Sequence, residues 1–289
     1  MKQYRHPRRS AVESASPRSW RRRRRRSTSR GNQAKQAELE AQGPTAADEE
    51  QESAWSDISK EDQDFFERVL NISDEDLQNQ TTDWYQTTEG NCVTVAVAKA
   101  AADALGTEVF SSLEKTSGGL KIGLRDGEEV EVSAAELQAA RSASDFKGRD
   151  EDALSFGTVI YAAVAKRALE EKHEGARSYQ DALRSLNNGE QVRNVIDLAG
   201  LENHSTRVST GDLDGKDAVV AYSQKHAIYV DKTSEGYVSD HYGRGVKYNR
   251  TDTNGSGRRR RSRGSNTIVG AYSIRGLAED EKRRSTPAQ

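Results

Sequence analysis

Cysteine is almost absent from this chain. Its 289 residues include one, Cys92, so no disulfide closes within it and a zinc site built from several thiolates is ruled out. A single thiol fits a reducing compartment without establishing one. The five histidines (His6, His173, His204, His226 and His241) show no ligand spacing along the sequence. Long apolar runs are missing too, so nothing reads as a membrane span. The N-terminus is basic but no apolar h-region follows, so it lacks the usual secretory pattern, and a cytoplasmic location is expected. Hydrophobic residues make up only 33% of the chain against 31% charged, and the mean hydropathy is −0.92. That is too polar for one compact body of this length, so part of the chain is expected to be disordered. No internal repeat is visible.

The small net charge of −2 conceals segregation. Residues 1–30 are arginine-rich, with an unbroken run from Arg21 to Arg26 beside Trp20, and residues 37–67 are acidic. The first block reads as a disordered basic arm. Such an arm suits nucleic acid or an anionic surface through counterion release, or it serves only as a solubilising tail. No recognised nucleic-acid-binding motif accompanies it. Residues 31–54 read as linker. From Trp55 the character changes: Ile58, Phe65, Phe66, Val69 and Leu70 recur at near-helical spacing. Asp57 or Ser59 would cap this helix and Ser73 a second one. The pair reads as a lead-in that packs on the core, with an inhibitory or partner-binding helix as the alternative.

What is present around Cys92 is a chemical constellation. Gln86 lies six positions upstream, Gly90-Asn91 signals a turn, and Val93 to Leu105 reads as a buried helix closed by Gly106, charged only at Lys99 and Asp103. At that helix's N-terminus the dipole is expected to lower the thiol pKa. The bland reading is a small buried hydrophobe. Far downstream, residues 217–222, 226–231 and 236–240 read as an antiparallel meander. His226 would open its middle strand and Asp240 would close the next, ends that such pairing sets side by side. Glutamine, cysteine, histidine and acid in this order are what thiol acyl transfer needs. Cys92 is the nucleophile, His226 the base, Asp240 the orienting acid and Gln86 an oxyanion donor. Elsewhere, residues 121–125 and 129–132 alternate about an Asp126-Gly127 turn, residues 157–172 read as an amphipathic helix, and residues 267–272 as a last strand. Arg258 to Arg261 read as an exposed basic loop before it.

These segments resemble the catalytic core of calpain-like cysteine proteases, within the papain-like group. Gln86-Thr87-Thr88-Glu89-Gly90-Asn91-Cys92-Val93 keeps the family's Gln, second Gly and Cys, has Asn91 for Asp, and loses the first Gly and the Trp. His226-Ala227-Ile228-Tyr229-Val230 is similar to His-Ala-Tyr-Ser-Val, and Asp240-His241-Tyr242-Gly243 to Asn-Pro-Trp-Gly, with Asp240 in place of Asn. A fourth stretch, from Val164 to Gly200, is similar in order and approximate spacing. The likeness covers roughly residues 80 to 275. It implies a papain-like α+β fold, with a helical half carrying Cys92, an antiparallel sheet carrying His226 and Asp240, and a cleft between them for an extended peptide. It also implies calcium as a cofactor of the protease core, although no ligands map onto this chain. The resulting division is a basic arm and acidic linker at 1–54, a helical lead-in at 55–79, a calpain-like protease domain at 80–277 and a flexible tail at 278–289. Three readings follow: a cysteine endopeptidase acting on protein or peptide substrates, a transglutaminase-like acyltransferase or deamidase, and a non-catalytic basic-armed binding protein.

Overall fold

The first predicted helix begins at Ser59, whose hydroxyl accepts the Asp62 N–H. The computed structural model describes residues 59–81, 83–87, 90–211, 213, 216, 218–234, 236–240, 242–248 and 267–277. The basic arm, the linker, Trp55, Ile58, His241, the Arg258 to Arg261 run and the tail lie outside the described residues. Helix α1 (Lys60–Asn71) turns Phe65, Phe66 and Val69 inward, worth about 1.5–3 kcal/mol for each large apolar side chain buried. Ser73 caps α2 (Asp74–Asn79), which buries Leu77. Both helices pack on the core.

The centre of the molecule is α3 (Cys92–Leu105). Alanine and valine surround its axis, and twelve of its residues, Lys99 among them, are buried. A helix apolar on every side must be enclosed on every side. Helices α2, α5 (Glu151–Glu170) and α7 (Val192–Leu198) enclose one flank, and strands β7 (Ala218–Tyr222) and β8 (Ala227–Thr233) the other. Gly106, at φ 60°, ends α3 as predicted. Helix α5 starts at the Asp150 cap, earlier than the expected residue 157. Ser133 caps α4 (Ala134–Ser144) through a full capping box with Glu136. Helix α6 (Tyr179–Leu186) lies beside α5 and α4.

Among the described residues, three sheets accompany the helices. A two-residue ladder joins β1 (Trp84–Tyr85) to β5 (Lys147–Gly148). The predicted hairpin is part of a three-stranded sheet, β2 (Ser112–Thr116), β3 (Gly119–Gly123) and β4 (Glu129–Ser133). Its β3–β4 connection is longer than a two-residue Asp-Gly turn. Leu124 N–H donates to the Glu128 carbonyl, and Gly127 N–H returns to Leu124 at 3.2 Å.

The largest sheet is antiparallel, in the order β10, β9, β8, β7, β11, β6, where β6 is Ser205–Val208, β9 Gly236–Asp240, β10 Gly245–Lys247 and β11 Gly270–Ile274. The expected meander is β7–β8–β9. Both faces are apolar: Ala218, Val220, Ala227 and Tyr229 face the main core, while Val219, Ala221, Ile228 and Val230 form a smaller second one. Period-two alternation separates these two sets. The described chain is thus an α+β assembly of helices against antiparallel sheet.

Candidate functional site

The route of the backbone before α3 fixes Cys92. Gly90 passes so close to the loop after α6 that a Cβ there would stand 2.4 Å from the Asn187 carbonyl oxygen, and Gly90 and Asn188 form a parallel bridge. Glycine is the residue that permits this approach. Asn91 is fully buried and gives its side-chain N–H to the Ser144 carbonyl at 2.8 Å. Its own carbonyl takes the Val95 N–H at 3.0 Å.

The lowered thiol pKa expected from the helix terminus is corrected by burial. Desolvation pushes the Cys92 thiol above its ordinary value, and the backbone N–H groups of Ala227, Val93 and Cys92 itself only partly offset it. A helix terminus contributes about 0.3–1 kcal/mol, which is less than a thiolate loses on leaving water.

His226 is not in a strand, contrary to expectation. Strand β8 starts one residue later, and His226 closes the turn from Ser223. Its N–H donates to Ser223 Oγ at 3.1 Å, and its carbonyl accepts the Ser223 N–H at 2.8 Å. These bonds set the backbone that aims the imidazole. The Tyr242 ring stacks on it, with centroids 5.6 Å apart and planes 15° from parallel. Tyr242 holds a left-handed φ of 56°, a conformation costing roughly 1–3 kcal/mol outside glycine. The turn that carries it begins at Asp240, whose Oδ1 accepts the Gly243 N–H at 2.8 Å.

Asp240 is not level with His226. The β8–β9 ladder pairs Val230 with Ser239, and continuing it sets Asp240 across from Tyr229, three residues beyond His226. The carboxylate's Oδ2 receives Lys99 Nζ from α3. That ammonium also lies 5.1 Å from the centre of the Trp84 ring, within cation–π range. Burial lowers the Lys99 pKa, and Asp240 opposes the shift.

Gln86, Cys92, His226 and Asp240 line one narrow cleft, together with Lys99 and Tyr242. Beside it opens a cavity of about 420 Å³ bordered by Cys92, His226, Glu190, Tyr222 and Tyr272. Comparison with protein-family models, with curated proteins and with solved structures finds no match for this chain. The site's chemistry therefore rests on its own geometry.

That geometry places a thiol, an imidazole, a carboxamide and a neutralised carboxylate around one opening. Sequence reasoning counted Lys99 only as a charge on a buried helix. The signal for it was position, since seven residues from Cys92 is two turns and so the same helix face. The Tyr242 stack has no comparable signal, because it depends on a left-handed turn.

Among the described residues, one histidine lies in an acidic cluster. His173, Glu174 and Glu190 each offer a ligand atom within 4.8 Å of the others. His173 Nε2 and Glu190 Oε2 are hydrogen-bonded at 2.6 Å. Glu190 Oε1 accepts the Gln191 N–H at 2.6 Å and Asn194 Nδ2 at 2.8 Å. The buried carboxylate is thus already supplied with donors, and it anchors the loop that borders the larger cavity.

Proposed function

We propose that this protein is a calpain-like cysteine endopeptidase on a papain-like fold. The observation that carries the reading is convergence: Gln86 and Cys92 meet His226, far downstream in the chain, in one cleft between α3 and the large sheet. Cys92 Sγ attacks the peptide carbonyl carbon as His226 takes its proton. A thiol whose pKa is raised by burial needs such a base at the moment of attack. The Gln86 side-chain amide donates to the developing oxyanion. His226 then protonates the leaving amine, and water hydrolyses the thioester. The larger cavity beside Cys92 is wide enough for a side chain of an extended substrate. The transglutaminase-like alternative shares the order Cys92, His226, Asp240 and draws weight from Asp240 in place of Asn, so the product must separate the two.

The test is incubation with an unfolded protein, with and without calcium, followed by mass spectrometry. New termini with the wild type and none with Cys92→Ala, at equal folded content, support the reading. Amine incorporation without cleavage would establish the acyltransferase instead, and no product from either chain would refute both enzymes.

A further inference from the structure

We infer that Lys99 is a positioning residue of the site: by pairing with Asp240 it makes the position-240 group net neutral beside Cys92 and His226. The inference rests on the cysteine-peptidase reading for its functional meaning, but its electrostatic content is measurable without any substrate.

The geometry is direct. Both side chains are buried, Lys99 at 0% and Asp240 at 6% exposure. Lys99 donates to Oδ2 and the Gly243 backbone to Oδ1. The face of Trp84 covers the ammonium. An unpaired carboxylate in so dry a place would be costly, as would an unpaired ammonium, whereas together they satisfy one another. Where the resembled pattern has a neutral asparagine, this chain reaches neutrality with two opposite charges. The titratable groups facing the pair from surrounding elements are Asp83 and Tyr85 before α3, Tyr229 on β8, and Cys92, His226 and Tyr242 around the cleft. Asp83 is itself paired with Arg149 at 2.7 Å.

The consequence concerns single substitutions. Seven residues of helix separate Lys99 from Cys92, roughly 10 Å along the axis. At that range one uncompensated charge moves a thiol pKa by about one unit, at an effective dielectric constant of about 20. Lys99→Met leaves a negative charge and raises the Cys92 pKa. Asp240→Asn leaves Lys99 without its counter-charge and lowers the Cys92 pKa over the pH range in which that ammonium keeps its proton. The double variant Lys99→Met/Asp240→Asn removes both and returns it to the wild-type value.

The experiment is the pH dependence of Cys92 alkylation by iodoacetamide in the full chain, with peptide cleavage measured alongside. Opposite shifts of about one pH unit in the singles, cancelled in the double, support the inference. Cleavage should fall at least ten-fold in each single and recover in the double. Lys99→Gln keeps a donor for Asp240 and should shift as Lys99→Met does, which covers poor folding of the latter. Equal midpoints in all four chains, or shifts of one sign, overturn the inference. The cancelling pattern in a wild type that cleaves nothing would leave the charge pairing standing and remove the peptidase reading.

Discussion

Replacing Gly157 by alanine measures how firmly the indole beneath the site is held. Gly157 lies within α5, where alanine normally gains about 1 kcal/mol over glycine. Here the added Cβ would stand 2.8 Å from Cη2 and Cζ2 of Trp84 and 3.0 Å from Cε2. The ring has little room to yield. Trp84 has no exposed surface, Phe146 packs against it at 5.2 Å between centroids, and Lys99 Nζ lies 5.1 Å from its ring centre. Forcing a methyl group into such packing costs about 1–3 kcal/mol. With about 2 kcal/mol of overpacking set against the helix gain, the net loss is about 1 kcal/mol. For a domain of this size that lowers Tm by roughly 2–4 °C. Calorimetry of the full chain is the assay. Trp84→Phe in the same chain removes the six-membered ring that the methyl meets, so the double variant should lose less than the two singles summed. A Tm for Gly157→Ala equal to or above the wild type, or strict additivity in the double, would refute the argument that the indole is clamped.

Three further outcomes are expected. The midpoint for alkylation of Cys92 should lie above that of a free cysteine peptide, because burial raises the folded-state pKa. By linkage, the thiol's contribution to stability is complete below the unfolded-state pKa and is lost as pH rises through the folded-state value. Urea unfolding should therefore show the wild type weakening relative to Cys92→Ala at alkaline pH, and parallel curves would contradict this. Ser133→Ala removes the hydroxyl that accepts the Glu136 N–H at the start of α4 and should cost about 1 kcal/mol in chemical denaturation.

Local signals in the sequence located most elements. Ser59 and Ser73 are legible as caps and act as caps. The alanine-valine helix at Cys92 and the strand at Gly236–Asp240 were legible because their periodicity is short-range. The parts that were not legible depend on distant partners. Strands β2 and β6 have half-exposed residues and little alternation, so only their neighbours define them. The placement of Asp240 required the ladder register, which sequence does not carry when a turn follows. The thiol pKa is not legible for a related reason: the helix dipole is local, whereas the desolvation that outweighs it comes from burial in the folded chain.

The Lys99–Asp240 pair also has a mechanical meaning. Its cation belongs to the helix that carries the thiol, and its anion to the sheet that follows the imidazole. It is therefore a strut across the seam between the two layers. Sliding or parting the layers would draw opposite charges apart in a dry interior, where no solvent is at hand to replace either partner. The pair thus ties the layer that carries the thiol to the sheet beside the imidazole, and holds the two in register without help from solvent.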